Sequence, residues 1–370
     1  CLFKDGVEHS DTVDNCKNII IFNGADAWID SNVFEQPVPY LAYGRTAITV
    51  GTFSGLGATY SRLHIANNYV IGCGKVNNSA GGALGAIDNH EYYEETFICN
   101  NRVISPVFGG IRQKADSRRL IITGNIVRDK VGDVSSASIQ VTPAPSNSVG
   151  SDYIIANNIV DGSSGDGIGL SNDVLDGNVI RLSVTDNIIS DMVGYGIRVD
   201  AFKDCVVRGN IIDGGNVSLM GIFFDDAEGS ILVQGNTLRN LQNASSANYA
   251  IVLRQKPGGA ANFLVNGNIA DTIERAMIAC FTDISSLIVH GNTAKNVAAE
   301  GGYQNLLAVI TGNTVAFASV IGNYLDAGTG IAQSAPGVLT ADGGAGAVSA
   351  DTTLGAVALA AADNRAGAIS

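Results

Sequence analysis

A single pattern of apolar and polar positions recurs ten times along the chain: apolar, free, β-branched, free, then Gly, Asn or Asp, then Asn, then another apolar pair. It reads LHIANNYV from residue 63, LIITGNIV from 120, YIIANNIV from 153, CVVRGNII from 205 and LIVHGNTA from 287. The closing asparagines are Asn68, Asn101, Asn125, Asn158, Asn187, Asn210, Asn236, Asn268, Asn292 and Asn323, spaced 23 to 33 residues apart. A floor near 23 with irregular extensions predicts a coil with loops inserted at its corners, where the backbone already meets water.

Three residues before each Asn stands Ile or Val, and two residues earlier a second residue of the same phase, from Leu63 to Ala318. That period of two predicts a strand with one face inward. Its side chains stack into columns at about 4.8 Å per coil. The Asn falls where strand becomes corner, so its amide can bond the coils on either side, and the residue before it suits a left-handed backbone. A second strand follows, with inward residues Ile87, Ile111, Ile139, Ile168, Ile197, Ile222, Ile251, Met277 and Leu306. The stretch KNIIIFNGADAWID at 17–30 reads as strand, turn and strand of one coil more. The fold predicted is all-β: a right-handed parallel β-helix of about ten or eleven coils over residues 1–330. The Ala/Gly-rich residues 331–370 are expected to form a C-terminal cap or assembly segment.

The position between the two inward columns should face water, yet it reads His64, Phe97, Ile121, Ile154, Ser183, Val206, Leu232, Leu264, Ile288 and Ser319. An apolar row of that length predicts an interface. The expectation is packing against sister subunits, most simply around a threefold axis.

Composition adds limits. Charged residues are 15% of the chain and glycines number 45 of 370, as tight-cornered β-structure requires. The net charge of −13 and the lack of any Lys/Arg run argue against nucleic acid as a partner. No apolar run is long enough to span a bilayer as a helix. The six cysteines are dispersed without a CxxC pair, so neither a zinc site nor a disulfide scaffold is expected, and Cys205 takes a core position. No metal and no cofactor is called for by any motif. The chain opens at Cys1 and reads as a processed or truncated piece of something longer.

Chemistry gathers on the outward positions of the second strand. One residue past the inward Ile come Asp88, Arg112, Gln140, Gly169, Arg198, Phe223 and Val252; three past come His90, Lys114, Thr142, Ser171, Asp200, Asp225 and Arg254. Arg and Asp bind hydroxyls and carboxylates, and a Phe face stacks on a sugar ring, so this surface suits an extended polysaccharide. Asp200 and Asp225, with Asp226 beside them, form the candidate catalytic carboxylates. On adjacent coils they stand about 5 Å apart, within the range used by glycosidases. Arg198, Arg254 and Phe223 flank them as substrate-binding residues. A second group, Asp88, His90, Arg112 and Lys114, offers a base and cations for removing the proton α to a uronate carboxylate.

With its asparagine column the chain resembles the pectate-lyase-like superfamily of right-handed parallel β-helices over about residues 15–330. Irregular coils, the apolar row and the tail are most similar to bacteriophage tailspikes, which are homotrimers that bind and cut surface polysaccharides. The Gly-Asp-Gly and Asp-Asp-Thr opening of many such chains is missing. The resemblance implies an extracellular polysaccharide depolymerase, secreted or on a virion, and leaves hydrolase and lyase both open. Competing readings are a uronan epimerase or intramolecular transferase, a non-catalytic adhesin or receptor-binding spike, and a purely structural solenoid.

Overall fold

A computed structural model describes residues 2–4, 17–21, 26–35, 46–50, 60–74, 85–90, 92–114, 117–132, 136–142, 151–171, 180–242, 248–297, 305–309, 313, 315–321, 323–325, 329–333, 339–341, 347–348 and 365–366. The chain forms two compact units, Cys1–Gly194 and Tyr195–Ser370. Each is a right-handed parallel β-helix, and no helix occurs among the described residues. Every coil contributes one strand to each of three parallel sheets. Sheet C holds the strand before the corner asparagine, sheet A the strand after it, and sheet B the next.

In the first unit, sheet C comprises Ala27–Asp30, Tyr60–Ala66, Tyr93–Cys99, Ser117–Thr123, Ser151–Ala156 and Ile180–Thr185. Equivalent residues pair across neighbouring coils: Thr96 with Leu120, Leu120 with Tyr153, Tyr153 with Leu182. Both inward columns are buried along this sheet, Leu63, Thr96, Leu120, Tyr153 and Leu182 in one and Ile65, Ile98, Ile122, Ile155 and Val184 in the other. In the second unit the columns Cys205–Ile231–Phe263–Leu287 and Val207–Val233–Val265–Val289–Val320 are buried in the same way. Burial pushes the Cys205 thiol well above its ordinary range and the Cys280 thiol up to about 12, so both behave as apolar core groups.

The asparagines form ladders, Asn32 to Asn187 in the first unit and Asn210 to Asn323 in the second. Each buried amide oxygen accepts twice from the asparagine one coil earlier. Asn158 Oδ1 takes the Asn125 backbone N–H and its Nδ2–H, both at 3.0 Å. Its own Nδ2 donates to Ile122 O and to Asn187 Oδ1, each at 3.0 Å. Asn32 adds a coil before Asn68, as the 17–30 stretch predicts. The residue before the ladder has positive φ wherever it is described, from Ser31 (57°) and Asn67 (54°) to Gly291 (62°).

Two features differ from the expected pattern. Four residues past the ladder lies a second left-handed column: Gly72, Ser105, Asp129, Gly162 and Asp191 in the first unit, Asn240, Thr272 and Asn296 in the second. It bends each longer sheet A strand, and Thr272 (φ 57°) is its one β-branched member. In sheet B the inward column Ile197–Ile222–Ile251 continues through Ile278 and Leu307, so Met277 and Leu306 are each off the column by one residue. The strand's strict alternation fails just before that column, where consecutive residues such as Gly221 and Ile222 are both buried. A Cβ on Gly221 would collide with Leu238 Cδ2, so the first of the pair is pressed into the core. Residue 330 falls inside the strand Thr329–Gln333, which pairs with Asn305–Val309.

Candidate functional site

The outer face of sheet B carries the residues singled out for chemistry, and the two units treat them differently. In the first unit Asp88 and Arg112 lie side by side in register, with Gln140 and Gly169 on the following coils. Asp88, expected at the surface, is 0% exposed. A carboxylate held out of water needs donors and cations around it. Gly85 N–H donates to its Oδ2 at 2.8 Å, His90 Nε2 stands 2.9 Å from Oδ1, and Arg112 Nη1 lies 3.8 Å from Oδ2. The Arg112 guanidinium also sits 5.7 Å over the Phe108 ring. The cation is thereby committed to its own neighbours. Lys114, half-buried, follows one coil after His90, and its backbone N–H bonds Asn89 O.

In the second unit Asp200 and Asp225 pair in register on the strands Tyr195–Asp200 and Met220–Asp225. Both carboxylates reach solvent. Arg198 Nη2 stands 3.5 Å from Asp200 Oδ2, and Arg254 Nη1 stands 3.3 Å from Asp225 Oδ1. The two arginines cap a stack of rings. Arg198 lies 5.9 Å over Tyr195, Tyr195 is parallel to Phe223 at 4.8 Å, and Arg254 lies 6.0 Å over the Phe223 ring. Phe223, expected as an open stacking platform, is only 7% exposed because it is the filling of this sandwich. Tyr195 is the ring that reaches the surface. Asp226, half-buried, follows with positive φ (49°), the left-handed step that ends the strand.

Beyond this group the face turns apolar. Val252, Ala279 and Ala308 continue the Arg198–Phe223 row and are buried, with Tyr249 and Phe281 packed edge to face at 5.4 Å. Sequence reasoning missed Tyr195, Tyr249 and Phe281. Tyr195 and Tyr249 lie two residues before an inward Ile, a phase that simple alternation sends inward. Because both ends of the ring stack are capped by guanidiniums, what this arrangement offers at the surface is charged hydrogen-bonding groups with carboxylates at their edge, which can bind hydroxyls.

No family model matches this chain, and no curated protein matches it. Among solved structures, the surface protein and adhesin PfbA of Streptococcus pneumoniae is similar over 88% of this chain and 85% of its own, at 13% identity and a TM-score of 0.49. Among the described residues no helix is long and apolar enough to cross a membrane.

Proposed function

We propose that the outer face of sheet B in the second unit grips an extended extracellular polysaccharide, and that Asp200 and Asp225 cut it by hydrolysis. The observation that carries this reading is the register of the two carboxylates, each steadied by an arginine resting on the Tyr195–Phe223 stack. Adjacent parallel strands set such carboxylates about 5 Å apart, the spacing of a retaining pair. One carboxylic acid then protonates the glycosidic oxygen while the other carboxylate attacks the anomeric carbon; water releases the glycosyl ester in a second step. Asp226 extends the acidic edge, and Arg198 and Arg254 bind sugar oxygens as their ion pairs open.

A second reading is favoured by those same ion pairs: the face grips sugar without cutting it. In the first unit, Asp88, His90 and Arg112 are held against one another out of water, so in either reading they serve neither as a lyase base nor as sugar contacts, and of that group the half-buried Lys114 is left to meet a chain. Incubation with a panel of bacterial capsular and plant polysaccharides, followed by chain length and reducing ends, tests the proposal. New reducing ends that vanish in Asp200→Asn and Asp225→Asn, with binding kept, support cleavage. Binding without shortening establishes the gripping reading. Shortening that persists in both variants removes these carboxylates from the chemistry, and an unsaturated uronate product replaces hydrolysis by elimination.

A further inference from the structure

The outer face of sheet C in the first unit presents two parallel rows. One is apolar and aromatic: Trp28, His64, Phe97, Ile121 and Ile154, ending at Ser183. Trp28 is 58% exposed and Ile154 38%, so this row is open to water. Trp28 and His64 lie 6.3 Å apart by ring centres, His64 and Phe97 6.4 Å. Two residues earlier on each strand runs a charged row: Asp26, Arg62, Glu95, Arg119, Asp152 and Arg181. The signs alternate strictly over six coils. Neighbours touch along the row, Arg119 to Glu95 at 2.8 Å and Arg181 to Asp152 at 2.7 Å, which holds the side chains extended on the surface.

We propose that this face pairs with the same face of a second copy of the chain, about a twofold axis that runs along the strand direction between the strands of Glu95 and Arg119. Such an axis keeps each row on its own counterpart and reverses the stacking order of the coils. An even, alternating row is then complementary to itself. Asp26 meets the partner's Arg181, Arg62 the partner's Asp152, and Glu95 the partner's Arg119. The apolar row closes on itself in the same operation, with Phe97 against the partner's Ile121 and His64 against the partner's Ile154. This is the self-complementarity an isologous contact requires.

Parallel arrangements, the threefold one included, leave the stacking order unreversed. There the charged row finds opposite signs only by slipping one coil and leaving a strand unpaired at each end. The extent is sufficient. Six strands about 4.8 Å apart and some six residues long cover about 500 Å² per copy, and the two together reach the ~1,000 Å² of a specific contact.

Light scattering of the full chain over a concentration series provides the test, with each variant first shown to be folded by circular dichroism. The wild-type protein is expected to be a dimer. Arg119→Glu alone and Glu95→Arg alone each set two like-charge contacts across the axis, so each raises the dissociation constant about tenfold or more. Mixed together, these two variants are expected to form a heterodimer, because every crossing contact is again opposite in sign. A wild-type monomer at all concentrations, a trimer, or a mixture that stays monomeric overturns the proposal. Trp28, the single tryptophan, identifies the occupant. Emission that responds to added polysaccharide but not to protein concentration assigns the face to sugar and overturns pairing as well.

Discussion

Replacing Asn158 by Leu tests whether the ladder holds the first unit together. The substitution keeps the heavy-atom count and leaves no cavity, so its cost comes from lost hydrogen bonds and from methyl groups that need about 3.5 Å where the amide stands 3.0 Å from its partners. It removes four bonds of 3.0 Å: two accepted from Asn125 and two donated, to Ile122 O and Asn187 Oδ1. The losses are unequal. Asn125 Nδ2 keeps its bonds to Ile98 O at 2.8 Å and Thr123 O at 3.2 Å, and Asn187 Oδ1 keeps the Asn158 backbone N–H at 3.0 Å. The Asn125 backbone N–H loses the Asn158 acceptor while buried, and Ile122 O loses a donor. An unsatisfied buried group costs about 1–3 kcal/mol, and the apolar side chain returns part of that, for a net destabilisation of about 2–4 kcal/mol. Urea denaturation followed by circular dichroism measures it, with slopes compared to check that a single transition is retained. Asn158→Asp should cost more, since it buries a charge beside two acceptors. A loss under 1 kcal/mol for Asn158→Leu would refute the ladder's energetic role.

Three further outcomes follow from single residues. Thr272→Asn, at the one β-branched residue of the second left-handed column (φ 57°), should raise the urea midpoint by the equivalent of about 0.5–1 kcal/mol; a lower midpoint would show that the Thr272 hydroxyl outweighs the backbone strain. Asp213 is pushed up by burial but pulled further down by hydrogen bonds from Asn240 and Gly215 and by the Arg239 guanidinium, so its folded pKa lies below the ordinary value. A depressed carboxylate stabilises above its unfolded pKa, near 4, and the benefit fades as pH falls through the folded value. The stability gap between wild type and Asp213→Asn, up to about 1 kcal/mol for a partly screened pair, should therefore be constant above pH ~5 and shrink in acid. A gap that widens in acid would reverse this assignment. Tyr195→Ala, which uncovers Phe223 and frees Arg198, should weaken polysaccharide binding more than Phe281→Ala does in a pull-down assay; equal losses would place the grip elsewhere on the face.

The fold was legible because stacking makes register a linear quantity. An Asn whose amide must serve three coils admits no substitute, so its offset to Ile65, Ile98 or Val233 survives every loop insertion between. Side-chain environment was less legible, for two physical reasons. Alternation predicts facing only while the strand stays regular, and the consecutive inward residues ahead of each sheet B column hid Tyr195 and Tyr249 and displaced Met277 by one. Facing outward is also not the same as meeting water. Asp88 and Phe223 occupy outward positions, and each is covered by its neighbours, His90 and Arg112 in one case, Tyr195 and Arg254 in the other. The second left-handed column left a trace in the Gly, Ser, Asp and Asn found four residues past the ladder. The alternating charges of sheet C were equally present at a fixed offset, but only register turns them into a row.

The contrast between the two sheet B faces bears on where ligand exchange can occur. Breaking the Asp88 cluster strands a carboxylate with no exposure, at a cost of about 3–5 kcal/mol, more than a few sugar hydroxyls return. The Arg198–Asp200 and Arg254–Asp225 pairs stand at 3.5 and 3.3 Å, on arginine side chains 39% and 41% exposed. Pairs of that kind contribute about 0–1 kcal/mol each. A hydroxyl that replaces one of them costs little, while the stack of Tyr195 and Phe223 keeps both guanidinium planes oriented as the pair opens. Under the proposed function, orientation that persists while the charge partner changes is what sugar binding requires, and the second unit's pairs are built to allow it.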